Sequence, residues 1–181
     1  MKTVGKHLSE WALDQTNTSF EFQIRHMVVS TVHGKFTKFS GIFRGDPENP
    51  VDSLVDLVLE GESLDTRDRM RDKKLKGTKF FDVEHYPHVR FWSTGIEVKE
   101  ENKYKVRGQL KIRDITKEVT LACEMLRPNS ETFNFEVNGK VNSEDYGLKW
   151  KSFYDPGNVF VGSTVRINVQ GRFKLEKTSP E

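Results

Sequence analysis

Apolar and polar residues alternate with a period of two through most of the chain, the pattern of strands with one dry face and one wet face. In the clearest run, Tyr104, Val106, Gly108, Leu110 and Ile112 alternate with Lys103, Lys105, Arg107, Gln109, Lys111 and Arg113. Five of those six polar positions are charged. Phe133, Phe135, Val137, Gly139 and Val141 alternate with asparagine, glutamate and lysine in the same way. So do Val165, Ile167, Val169, Gly171, Phe173 and Leu175 with Arg166 to Glu176, and Phe20, Phe22, Ile24 and His26 with Ser19 to Arg25. The run from Leu54 to Gly61 is partly apolar on both faces. Further strands near 32–44, 88–99 and 117–126 bring the number to about eight, and several exceed the usual ~5–6 residues. Within 32–44, Phe36 and Ile42 have one parity and Phe39 and Phe43 the other, which predicts a bulge or bend near Lys38.

One segment breaks the pattern. A short helix over Arg67 to Leu75, capped by Asp65 or Thr66 and ended by Gly77, fits residues 65–77. Lys99–Asn102 reads as a hairpin turn, Arg127–Glu131 and Asp155–Asn158 as loops, and Lys177–Glu181 as a frayed tail. There is no repeat or linker, so residues 1–181 read as a single domain with its core over about 10–176.

One-faced sheets must bury the dry face, and long strands in up-and-down order do so by closing. The expected fold is therefore all-β, an extended eight-stranded antiparallel β-barrel with one short helix. A ten-residue strand spans roughly 33 Å, which at barrel tilt gives a height on the order of 25 Å. Gly61, Gly108, Gly139 and Gly171 occupy inward positions. Each either turns a barrel corner or leaves a gap, and together they suggest an incompletely filled interior.

Composition narrows the function. With 29 Lys and Arg against 27 Asp and Glu, the net charge is +2, and acids interleave the basic cluster of 67–79, so no nucleic-acid partner is expected. The single cysteine, Cys123, cannot form an internal disulfide and falls on an apolar face as a core residue. The first ten residues lack an apolar signal region, and no stretch reaches the ~20 apolar residues of a membrane helix. As written, the chain reads as soluble and cytoplasmic. His85 and His88 flank Pro87 without helical spacing, and the five histidines argue for no metal. No nucleophile elbow or phosphate loop is present, which leaves no catalytic residue to name and predicts no cofactor.

The chain resembles the YceI-like family of polyisoprenoid- and lipid-binding domains. The resemblance runs through Trp11–Asp14, Ser19–Phe22 with His26, and Val32–Phe36 with Phe39–Gly41. It continues through Ser63–Thr66, Arg71–Lys76 with Phe80–Asp82, Tyr86–Pro87 and Phe91, then Gly108–Lys117, Tyr146–Leu148 and Val161–Gly162. It implies a lipocalin-like barrel, a long isoprenoid or related amphiphile in the pore, and a homodimer. Lys74 stands where the family often has His, Asp114 where Gly is usual and Glu118 where Pro is common, all three read as loop or turn sites.

The expected function is non-catalytic binding, storage or transport of a long-chain lipid in the pore. The residues expected to touch it are Phe20, Phe22, Ile24, Phe36, Phe91, Val106, Leu110, Leu121, Phe135, Val137 and Ile167. His26 is expected to meet a head group at a barrel mouth beside Arg25 or His33, the simpler role being a bonded core histidine. The segment 67–81 reads either as a lid in transient contact with a membrane or as a plug for one end. Two rival readings remain, an enzyme acting on an amphiphile in the same cavity and a filled barrel that binds a protein partner.

Overall fold

The computed structural model describes residues 8–26, 30–126, 128–149 and 161–176. Eleven strand segments form one antiparallel sheet: β1 (Glu10–Leu13), β2 (Ser19–His26), β3 (Ser30–Phe36), β4 (Phe39–Arg44), β5 (Leu54–Glu60), β6 (Leu64–Asp65), β7 (His88–Glu100), β8 (Lys103–Ile112), β9 (Ile115–Met125), β10 (Thr132–Asn142) and β11 (Val161–Leu175). Three of the barrel's eight staves are broken in two. The pair β1 and β2, interrupted by a 3-10 turn at Gln15–Asn17, lies along the whole of β11. The pair β3 and β4 is broken at Thr37 and Lys38, and β5 and β6 by a 3-10 turn at Gly61–Ser63. Each stave pairs with its neighbour in sequence, and β1 returns to β11 at Trp11↔Leu175, Ala12↔Lys174 and Leu13↔Phe173. The result is a closed eight-stranded up-and-down barrel.

The bend expected near Lys38 is present, and Ser63 braces it. The Thr37 amide donates to the Ser63 carbonyl at 3.2 Å, and Ser63 Oγ donates to the Lys38 carbonyl at 3.2 Å. Crossing the bend switches parity, so Val32 and Phe36 before it and Phe39 and Phe43 after it all face inward and are buried.

The helix α1 (Arg69–Lys76) starts later than the sequence suggests. Asp65 is spent on a turn, accepting from the Arg67 amide at 2.8 Å, and Arg67 takes a left-handed φ of 63°. Asp68 is the cap, accepting from the Met70 and Arg71 amides at 3.0 Å each, and Gly77 ends the helix as expected. Thr66, 3% exposed, is held by Asp72 and by Arg71. Lys74 therefore lies in a helix and Glu118 inside β9, whereas Asp114 does lie in the two-residue turn after β8. The Lys99–Asn102 hairpin turn is found, with Asn102 at φ 62°. Asp155–Asn158, the tail 177–181, the first seven residues and Arg127 lie outside the described residues.

The inward glycines seat neighbours rather than leave holes. A Cβ on Gly108 would stand 2.5 Å from Phe91 ring carbons and from the Trp92 carbonyl oxygen. One on Gly171 would meet Phe135 at 2.6 Å, one on Gly61 would meet Val83 at 2.8 Å, and Leu121 lies over Gly139. Each missing side chain is thus filled by an adjacent large one.

Two seams are short, that of β5 with β7, paired at five positions although β7 runs on to Glu100, and that of β9 with β10. β10 pairs with β11 at eleven positions and β9 with β8 at ten. Between β9 and β10 only Phe135↔Met125, Glu136↔Glu124, Val137↔Cys123 and Asn138↔Ala122 are paired. Both strands continue past that point, each held from its other side.

Candidate functional site: two apolar chambers in the barrel

Inward side chains from every stave converge on the barrel axis, yet they do not fill it. An apolar chamber of about 140 Å³ lies between Phe43, Phe133 and Phe173 at one end and Leu110, Val141 and Ile167 near the middle. An aromatic cluster closes its outer end. The Phe133 and Phe173 rings stack 5.2 Å apart, and Trp11 and Phe43 meet Phe133 edge-on at 5.2 and 5.0 Å.

A second apolar chamber, of about 120 Å³, continues toward the opposite end. The two share Phe20, Leu59, Val89, Leu110, Val141 and Ile167, so only these side chains separate them. Its far wall comes from irregular segments. Leu75 of α1 and Phe80 are fully buried, and Phe81 meets Phe36 edge-on at 6.2 Å. The segment 67–81 therefore plugs this end, while Met70 on the helix is 76% exposed. Tyr146 and Leu148, buried beside a 3-10 turn at Ser143–Tyr146, complete the wall. Gly147 ends that turn at φ 71°, a conformation that favours glycine, and so sends both neighbours inward.

Each chamber alone approaches the ~150 Å³ in which an engineered apolar cavity holds benzene. A long chain therefore has to occupy both, with the dividing side chains turned aside. Glu21 borders the smaller chamber, but its side chain is exposed on the outer parity of β2. Burial pushes the Cys123 thiol up to about 12 and the Tyr146 phenol, helped by the Asp145 carboxylate, up to about 12. Both groups keep their protons at neutral pH.

Of the residues singled out from the sequence, Phe20, Phe91, Val106, Leu110, Leu121, Phe135, Val137 and Ile167 line the larger chamber. Phe22 and Phe36 line the smaller. Ile24, 1% exposed, packs in the core and lines neither. The His26 side chain lies outside the described residues. Arg25 and His33 are exposed, on the outer parity of β2 and β3, and do not face the interior. Among the described residues no cluster of metal-ligating side chains occurs. His85 Nδ1 lies 2.9 Å from Asp82 Oδ1, which raises the imidazole pKa.

The choice of contacts missed Leu57, Leu59, Val89, Val141 and Phe173; the last three continue the parity of a chosen neighbour, whereas Leu57 and Leu59 lie in a run that reads as partly apolar on both faces. Period-two counting had no means of finding Phe80, Phe81, Tyr146 and Leu148, which belong to no strand.

Residues 11–173 match the family model of the YceI-like domain. The chain belongs to the YceI-like family. A UPF0312 protein of Photorhabdus laumondii is 35% identical over 133 residues, covering 71% of this chain and 69% of that protein. A UPF0312 protein of Yersinia pestis is 33% identical with the same coverage. In fold, the barrel is similar to BcnA of Burkholderia cenocepacia, with a TM-score of 0.79 at 22% identity over 88% of this chain and 98% of that one. It is also similar to a polyisoprenoid binding domain from Saccharophagus degradans, with a TM-score of 0.74 at 14% identity over 94% and 100% of the two chains. The YceI-like motifs now have physical reasons. Ser63–Thr66 braces the bend and the approach to α1, and Tyr146–Leu148 builds a chamber wall.

Proposed function

We propose that this YceI-like protein binds a long apolar chain, isoprenoid or acyl, without chemically altering it, as a store or carrier. The observation that carries this reading is the pair of adjoining, wholly apolar chambers divided only by side chains. Each CH₂ group buried there contributes about 0.8 kcal/mol before ordering costs, so a long chain binds tightly with few polar contacts. The similarity in fold to a polyisoprenoid binding domain supports the same class of ligand. A Cys123 thiol held protonated, and walls built from hydrocarbon, support binding over catalysis.

The test is native mass spectrometry of protein purified from its own host, followed by organic extraction. A co-purifying long-chain species, unaltered after incubation, is expected. A clean unliganded mass together with no uptake of added prenyl or acyl lipid overturns the reading. Val141→Trp, which places an indole at the wall between the chambers, is expected to abolish uptake while the protein stays folded. Carriage, as opposed to storage, is read from transfer of the chain out of loaded protein into acceptor vesicles.

A further inference from the structure

Residues 67–79 carry seven cations and two acids, a net charge of +5 in a chain whose total is +2. Acids interleave the cations along the sequence, but α1 sorts them. At roughly 100° per residue, Arg69, Lys73, Met70 and Lys74 fall in one unbroken arc of about 140°, with Met70 between the two lysines. All four are exposed, Met70 by 76%. The opposite face is committed to the protein. Leu75 is fully buried, Arg71 donates to the Thr66 hydroxyl and carbonyl at 2.8 Å each, and Asp72 accepts from the Thr66 amide at 3.0 Å. Asp68 accepts from the first amides of the helix. Lys76 reaches Glu62 at 3.4 Å, whereas Arg69, Lys73 and Lys74 have no carboxylate within ion-pair distance among the described residues.

We propose that this outer face of α1 docks on an anionic lipid surface, with Arg69, Lys73 and Lys74 against the phosphate groups and Met70 among the first acyl carbons. The proposal rests on the binding function given above and supplies the place where the bound chain is exchanged. The same segment carries Phe80 and Phe81 in the wall of the smaller chamber, and the Phe81 amide donates to the Leu75 carbonyl at 2.9 Å. The docking helix and the chamber plug are therefore one piece. A lipid surface fits this face better than a protein does. A specific protein interface buries about 800 Å² on each side around an apolar centre, and this face offers one methionine. A membrane asks only for cations, each strengthening attachment about fivefold, and for a side chain that can enter it.

The test is sedimentation with vesicles of phosphatidylcholine alone and of equal parts phosphatidylcholine and phosphatidylglycerol. Wild-type protein is expected to bind the mixed vesicles only, and to come off them as salt is raised. Arg69→Gln, Lys73→Gln and Lys74→Gln combined are expected to weaken attachment about a hundredfold. None of the three lines a chamber, so this variant should take up retinol from solution as wild type does. A nitrobenzoxadiazole probe on Met70→Cys, in a Cys123→Ala background, is expected to brighten and shift to the blue on the mixed vesicles. Equal binding to both vesicles, or a triple variant that binds as well as wild type, overturns the docking surface, while continued retinol uptake leaves the binding function intact. Loss of attachment in the triple variant with a probe that does not respond marks a purely ionic face suited to an acidic protein, and that too overturns the proposal. Docking by wild-type protein that takes up no retinol overturns the binding function, and with it the exchange of a bound chain at this face.

Discussion

Lys174 Nζ lies 2.8 Å from Asp14 Oδ2, and the pair fastens the junction of β1 and β2 onto β11, where the barrel closes. Asp14 also accepts from the Thr16 amide at 3.1 Å and from Asn17 Nδ2 at 2.8 Å, while its own amide donates to the Arg172 carbonyl. Lys174, with Asn17 and Thr16 adding to it, holds the Asp14 carboxyl at about 2, well below its ordinary 3.8. A carboxyl depressed in the folded state stabilises above its unfolded pKa and loses that contribution as pH falls toward the folded one. Asp14→Ala is therefore expected to cost about 1–2 kcal/mol at pH 7, discounted for the exposed lysine. Urea unfolding of both proteins should show the difference shrinking between about pH 4 and pH 2.

The inward glycines should differ in what they tolerate. Gly108→Ala drives a methyl into the Trp92 carbonyl, which is backbone and cannot turn aside. Overpacking of this kind costs typically 1–3 kcal/mol, and Gly108→Ala is expected at or above the upper end. Gly139→Ala meets only the tip of Leu121, with no backbone atom within reach, and should cost less than about 1 kcal/mol. Chemical denaturation of the two variants checks the order.

Cys123 lines the larger chamber, and burial followed by the neighbouring Glu124 charge lifts its thiol to about 12 from 9.0. Only the thiolate attacks disulfide reagents, so the native thiol should react about a thousandfold more slowly at pH 8 than the same cysteine in urea. Loading with a long-chain alcohol should slow it further. Timed labelling with a coloured disulfide reagent measures both, and native labelling at the urea rate would contradict the placement of this side chain.

The half-open seam should be visible in amide exchange. Amides of Thr116–Leu121 and Gly139–Asn142 that point across the seam lack the ladder partners their neighbours have on β8 and β11. Hydrogen–deuterium exchange read by NMR should find these faster than the paired amides of Ala122–Met125 and Phe135–Asn138.

Much of this was legible in the sequence, for one physical reason. A strand solvated on one side and dry on the other must alternate, and β8 and β10 do so over their whole length and β11 from Val165 onward. Even the broken parity around Lys38 carried information, because a bend is the only way to bury both Phe36 and Phe39. The helix start was not legible, since Asp65 and Asp68 are equally good caps and the choice between them depends on the left-handed backbone at Arg67. The glycines misled in one respect. Alternation reveals that a side chain is missing but not which neighbour will lie across the gap, and Phe91, Leu121 and Phe135 do so. The smaller chamber was hardest to foresee, because Phe81 and Tyr146 reach it from segments without a period.

The four-residue ladder between β9 and β10 gives the barrel an unequal stiffness. Along the ladders of β8 with β9 and β10 with β11, a change of girth has to stretch or break main-chain hydrogen bonds at ten and eleven paired positions. Past Asn138 and Ala122, Leu121 rests over Gly139, a contact of dispersion forces. On that side, a change of girth beside the larger chamber meets side-chain contacts before it meets ladder bonds.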